Sequence, residues 1–232
     1  MKTTGGKKLA TVERLYVKSG KIIATRSWNG IDFYEIKVHL PNVTFENWEQ
    51  AQSIKCRINA LHYTDYTPAL WDIEKKTCTL YIDASHSGQG AHWAKNQLAG
   101  NDFHYLKIEA VKHFPIKHKQ LIFLGDQTGI GHFSSLQQLA AKNTKIGGIL
   151  AFPNPQMALA FSQNCSWLPL KTVCDYNAMY DQVKDLALKY ESDGECFAFY
   201  IVGSAELVVT LRKMLKDFGF DTKQIKSKGF WQ

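Results

Sequence analysis

With 232 residues, 45% of them apolar and 21% charged, the chain can bury a substantial core as one large domain or two of ordinary size. Its formal charge of +7 is scattered over short clusters such as Lys117-His118-Lys119 and Lys223 to Lys228, and no nucleic-acid-reading motif accompanies it, so no nucleic-acid partner is expected. No apolar run approaches the ~20 residues that cross a bilayer, so no membrane insertion is expected either.

The polar start, Met1 to Lys8, lacks the apolar stretch of a secretion signal and reads as a loose tail. From residue 9 to 114 the chain is read as short strands: Thr11 to Val17, Lys21 to Trp28, Phe33 to Leu40, Ile54 to Ala60, Thr77 to Ala84 and Phe103 to Ala110. These runs alternate or are rich in β-branched and aromatic residues, and turn signals such as Ser19-Gly20, Asn29-Gly30 and Pro41-Asn42 separate them. Six short antiparallel strands with one or two helices predict a small closed β-barrel.

After His113-Phe114-Pro115 the rhythm changes. Strand-like Gln120 to Leu124, Lys145 to Phe152 and Cys196 to Val202 alternate with helix-like Ile130 to Ala141, Pro155 to Phe161, Tyr176 to Tyr190 and Ala205 to Phe218. This pattern predicts an α/β domain over 115–232 with a parallel sheet covered on both faces. Ligands of such sheets sit beyond the carboxyl ends of the strands, where Gly125 to Thr128 and Gly203-Ser204 lie. A barrel followed by an α/β domain suits a two-substrate enzyme in which one part holds a flavin and the other brings a nicotinamide. The five cysteines form no C-x-x-C pair, which argues against a zinc site or disulfide framework and for a reduced, cytoplasmic setting. Cys165 and Cys174 are read as buried hydrophobes.

The most informative stretch is His86-Ser87-Gly88-Gln89-Gly90-Ala91-His92-Trp93-Ala94, a glycine-bearing turn between a strand and a helix. Free backbone N–H groups and the positive end of the helix dipole converge at such a turn, which makes it an anion cradle. The backbone of Gly90 and Ala91 is the expected phosphate contact, with His86 framing the turn and Trp93 anchoring the helix on the barrel.

The order of motifs resembles the siderophore-interacting protein family of ferredoxin-reductase-like flavoenzymes. Tyr66-Thr67-Pro68 resembles its flavin signature, His86 to Ala94 its pyrophosphate turn, and Gly100-Asn101-Asp102 its Gly-Asp turn. Leu124-Gly125-Asp126-Gln127-Thr128 resembles its nicotinamide-side Gly-Asp-Glu-Thr motif. Tyr200-Ile201-Val202-Gly203 with Leu211-Arg212, and Gly229-Phe230-Trp231, complete the series. The resemblance implies a noncovalent FAD at Tyr63, Thr64, Tyr66, Thr67, Asp83, Ser85, His86, Gly90, Ala91 and Trp231, and a nicotinamide side at Gly125, Asp126, Thr128 and Gly203. It implies electrons from NADH, NADPH or another donor, a ferric siderophore as substrate, and a cofactor that carries the chemistry. Neither a catalytic side chain nor a resident metal is assigned.

Several roles stay open at this point. Tyr66 and Thr67 either meet the flavin or pack the barrel, and Tyr63, three residues away, competes with Tyr66. Asp126 and Thr128 either border the nicotinamide or cap a helix. Trp231 either covers the flavin or seals a seam. The sequence also departs from the family pattern, with Thr64 and Ala69 in place of two arginines and Gln127 in place of an acid. Losing an arginine–phosphate contact costs roughly 1.5–3 kcal/mol. Arg57, Lys55 or His62 are the nearby replacements, and a relative that binds a ligand or partner without redox turnover is the alternative.

Overall fold

A computed structural model describes residues 13–44, 48–190 and 196–231, and the chain divides into two compact units between Lys112 and His113. The expected tail over 1–8 lies outside the described residues.

The first unit is built on strands whose side chains alternate between core and solvent. In Gln52–Asn59 (β3) Ile54 and Cys56 are buried, and in Asp102–Ala110 (β7) Phe103 and Tyr105 are buried while Asp102 is exposed. Lys18–Trp28 (β1) and Ile31–His39 (β2) form a hairpin closed by Asn29-Gly30. His62–Tyr66 (β4), Pro68–Asp72 (β5) and Thr77–Asp83 (β6) complete an antiparallel sheet in the order β4-β3-β7-β1-β2-β6-β5. Its edges, β4 and β5, are consecutive in the chain and join at Thr67, so the sheet curls back upon itself there. One short helix, Gln89–Lys95 (α1), packs Ala91 and Ala94 into the core formed by Ile36, Val38, Leu80, Phe103 and their neighbours.

The sheet has seven strands, not the expected six. The stretch expected as a strand over Thr11 to Val17 holds a 3-10 turn at Glu13–Leu15, and β4 and β5 are additional. His-Tyr-Thr-Asp-Tyr in β4 leaves no residue fully buried, so it carries no apolar alternation. Pro68 opens β5, and proline lowers any strand expectation, yet β5 is an edge strand, where a missing N–H donor is tolerated.

The second unit is a parallel sheet in the order β10-β9-β8-β11-β12. Its strands are Gln120–Asp126 (β8), Ile146–Ala151 (β9), Lys171–Val173 (β10), Phe197–Ser204 (β11) and Ile225–Trp231 (β12). Every residue of β11 is buried, as a central parallel strand requires. Helices Tyr176–Tyr190 (α4) and Ala205–Asp217 (α5) cover one face through Met179, Val183, Leu207, Leu211 and Leu215. Ile130–Leu139 (α2) and Pro155–Asn164 (α3) bring Phe133 against Phe123, with centroids 4.9 Å apart, and Phe161 against Phe152. Strands β10 and β12 carry too few apolar residues to be legible beforehand. Cys165 is buried as expected, but Cys174, just past β10, is exposed, because the chain leaves the sheet at that point.

Candidate functional site

In the first unit the site is built where β6 hands over to α1. Asp83 accepts a hydrogen bond from the Ser85 N–H (2.9 Å), and His86 Nδ1 accepts one from the Gly88 N–H (3.0 Å). These two bonds shape the turn and leave Ser85 and His86 at the surface. Gly88 is the N-cap of α1; no side chain caps the helix and its first turn carries no acid. The N–H groups of Gln89, Gly90 and Ala91 therefore have no intrahelical acceptor. A side chain at position 90 would force Tyr66 to move, since a Cβ there would lie 2.5 Å from the Tyr66 hydroxyl and 3.7 Å from the Thr64 methyl.

Strand period explains which of the rival tyrosines belongs to this place. Thr64 and Tyr66 share the face of β4 that meets α1, and the Tyr66 ring stacks on Trp93 at 6.2 Å and 23°. Burial raises the Tyr66 phenol well above its ordinary pKa, so it stays a neutral hydroxyl. Tyr63 belongs to the other face and donates to Glu13 Oε1 at 3.0 Å. Thr67, at the β4–β5 joint, is buried. Trp231 ends β12, and its side chain lies outside the described residues.

The three expected replacements for the missing arginine all have other partners. Arg57 forms a buried two-pronged pair with Glu13 (2.8 Å for both bonds), Lys55 pairs with Asp65 at 2.8 Å, and the His62 ring bonds the Ala60 carbonyl. Glu13 was not singled out in the sequence, and no local signal marks it, because its partner lies 44 residues away.

Beside α1 runs a cleft of about 840 Å³, lined among others by Arg57, Ser87, Gln89, His92, Asn96 and His104. Burial holds the His104 imidazole below its usual pKa. Uncapped N–H donors, a first turn without acid, a glycine kept clear beside a neutral tyrosine, and an adjoining polar cleft fit the diphosphate and adenosine of FAD.

In the second unit the sheet order reverses between β8 and β11, the place where ligands of parallel sheets bind. Gly125 and Gly203 permit a close approach there. A Cβ at 125 would strike the Val202 carbonyl, and one at 203 would lie 2.6 Å from Asp126 Oδ2. Asp126 is fully buried; its Oδ1 accepts from the Thr128 N–H (2.9 Å) and hydroxyl, and its Oδ2 from the Ser204 N–H (2.8 Å) and the Tyr176 hydroxyl (3.4 Å). Burial pushes the Asp126 carboxyl above its ordinary pKa, while these donors oppose the rise. The structure thus brings Gly125, Asp126, Thr128, Gly203 and Ser204 together and adds Tyr176, which sequence reasoning had not placed at the site. Among the described residues no group of three or more metal-ligating side chains is found, and no helix is long and apolar enough to cross a membrane.

No family model matches the chain, and no curated protein does. Solved structures do. The ferredoxin reductase in carbazole 1,9a-dioxygenase, in its FAD apo form, aligns with TM-score 0.71 at 13% identity over 93% of this chain and 66% of its own, so this chain spans just under two thirds of that protein. The Amycolatopsis cytochrome P450 reductase GcoB aligns with TM-score 0.68 at 10% identity, over 93% of this chain and 71% of that one. The siderophore-interacting protein SipS from Aeromonas hydrophila aligns with TM-score 0.69 at 12% identity, over 93% of this chain and 91% of that one. The antiparallel seven-stranded unit followed by a parallel five-stranded unit fits the two-domain fold of ferredoxin-reductase-like proteins.

Proposed function

We propose that this protein is an FAD-dependent reductase of ferric siderophores, or of similar ferric chelates, supplied with electrons by NADH, NADPH or another donor. The observation that carries the reading is the uncapped start of α1, with Gly90 held clear beneath the Tyr66 hydroxyl and Thr64, on the fold of known reductases. Bound FAD would supply the redox chemistry, taking electrons from the donor and passing them to ferric iron, whose ferrous form the chelator holds less tightly. The chain's own residues bind and orient. Backbone N–H groups of Gln89 to Ala91 would take the diphosphate, Tyr66 and Thr67 would border the flavin, and Asp126 with Thr128 and Gly203 would shape the donor's side. Thr64 contributes no charge, so the diphosphate would be held by backbone and helix dipole. The excess of positive charge suits an acidic ferric chelate. Free thiols, two of them exposed, suit a reducing compartment such as the cytoplasm.

The test is an absorbance titration of the purified protein with FAD, followed by NADH- or NADPH-driven ferric-chelate reduction. Saturable FAD binding with turnover is expected, and Gly90→Val should weaken binding about tenfold or more by pushing Tyr66 aside. A protein that binds no FAD would overturn the reading. Binding without turnover by any donor would favour the second reading, a ligand-binding relative without redox activity. The commitment of Arg57 and Lys55 to Glu13 and Asp65 supports that second reading.

A further inference from the structure

The amino ends of β8, β9 and β10 border a second cleft, of about 800 Å³, which lies within the second unit between the sheet and α4. It shares no residue with the proposed flavin or donor sites, and it sits at the end of the parallel sheet opposite Gly125 and Gly203. Side-chain period creates the space. Gln120 and Ile122 on β8, Gly147 and Ile149 on β9, and Lys171 on β10 share one face, because Ile122 pairs with Gly147 and Lys171 with Ile149. On this face Ile122 and Ile149 join Met179 and Val183 of α4 in the core. At Gly147 the row has no side chain, and a Cβ there would meet no atom of a non-adjacent residue within 4 Å. The core therefore stops short of the sheet's amino end and leaves a hollow with Ile122, Ile149 and Leu186 as its apolar lining.

The rim of the hollow is polar. Gln182, Asp185, Leu186 and Lys189 of α4 line it together, which their helical spacing as one stripe explains. Lys171 faces the same cleft from β10 and Gln120 from β8. The side chains of Gln120, Lys171, Gln182 and Asp185 have no hydrogen-bond or ion-pair partner among the described residues. Lys171 and Asp185 thus line one apolar hollow as a cation and an anion that pair neither with each other nor with a neighbour. A purely apolar ligand would leave both charges uncompensated, and a simple anion or cation would serve one and oppose the other. An α-amino acid carries the complementary set of a carboxylate, an ammonium group and a side chain. The two glutamine amides can donate to its carboxylate and accept from its ammonium.

We propose that this cleft binds a free apolar α-amino acid, with Lys171 on its carboxylate, Asp185 on its ammonium group and its side chain in the hollow over Gly147. The site stands apart from the flavin and donor sites and does not rest on the proposed reductase activity.

The test is isothermal titration calorimetry of the full-length protein with L-leucine and L-phenylalanine. Saturable binding of at least one is expected. Its N-acetyl form, which lacks the ammonium, and its amide, which lacks the carboxylate, should each bind about tenfold or more weaker. Asp185→Asn should erase the preference over the N-acetyl form, and Lys171→Gln the preference over the amide. Both residues are exposed, so neither change disturbs the core. Gly147→Leu should abolish binding by filling the hollow, with folding checked by circular dichroism; should it fail to fold, the two charge variants decide the matter. Binding of neither amino acid, equal affinity for the free and blocked forms, preferences unchanged in both charge variants, or full binding by a folded Gly147→Leu would overturn the proposal.

Discussion

Asp126 shows what a single buried carboxylate does in this fold. It joins the end of β8 to the end of β11 by accepting the Thr128 and Ser204 backbone N–H groups together with two hydroxyls. Replacing it with alanine leaves at least two donors without their acceptor, each costing about 1–3 kcal/mol. Asp126→Ala is thus expected to lose about 2–6 kcal/mol in urea unfolding, and Asp126→Asn, which keeps one oxygen, markedly less. Equal losses in the two variants would mean that charge, not hydrogen bonding, is what the site requires. The sequence had left two roles open for this residue, cap or nicotinamide border. The geometry makes it a cap that stands at the sheet's reversal point. Tyr176 escaped notice because it reaches Asp126 from 50 residues away.

At the scale of elements, the 3-10 turn Glu13–Leu15 is fastened to the β3–β4 hairpin by a buried network. Glu13 accepts from Arg57 twice, from the Leu61 N–H at 3.0 Å and from the Tyr63 hydroxyl. Removing one partner of a buried ion pair leaves an uncompensated charge and costs about 3–5 kcal/mol, while an apolar pair of similar volume is often neutral. Glu13→Leu alone, or Arg57→Met alone, should therefore destabilise the first unit by about that amount, and the double variant should recover most of it. A double-mutant cycle in guanidinium chloride measures this; additive losses would show that the two side chains act independently. The stretch from Thr11 to Val17 reads as a strand because its local composition suits one. What decides otherwise is the partner on β3, which draws Glu13 inward. In the second unit, Tyr176–Tyr190 runs between the same limits as the helix expected there, since its apolar stripe is packed by its own spacing.

Over the second unit as a whole, acid should act through a buried imidazole pair. His113 Nδ1 and His132 Nε2 are 2.9 Å apart, and His132 Nδ1 is buried without a hydrogen-bond partner. Phe230 and Tyr200 pack edge-on against the pair, and Lys228 and Lys226 are the cations that face it. Burial, helped by these lysines, lowers the His113 imidazole to about 4, and burial lowers His132 as well. The unfolded chain titrates its histidines near 6.5, so it binds protons that the native state refuses. Stability from His113 is complete above about pH 6.5 and is lost as the pH falls towards 4, by up to about 3 kcal/mol. Thermal unfolding between pH 7.5 and 4.5 should show this slope, and the double variant His113→Leu/His132→Phe should flatten it. A variant as acid-sensitive as the parent would assign the slope to carboxylates instead.

The sequence by itself determined the succession of a β-rich half and an alternating α/β half. It also determined the glycine-bearing turn at His86 to Ala94 and the glycine-lined strand ends at Gly125 and Gly203. All of these are local: side-chain period, turn chemistry and the need for a missing Cβ are written within a few neighbouring residues. Only the tertiary structure decided that β4 and β5 are strands, that Tyr66 rather than Tyr63 faces α1, and that Arg57 and Lys55 are held by Glu13 and Asp65. Each of these depends on which distant segment lies alongside. A polar strand, a choice of face or an ion pair across 44 residues takes its energy from partners that no local window contains.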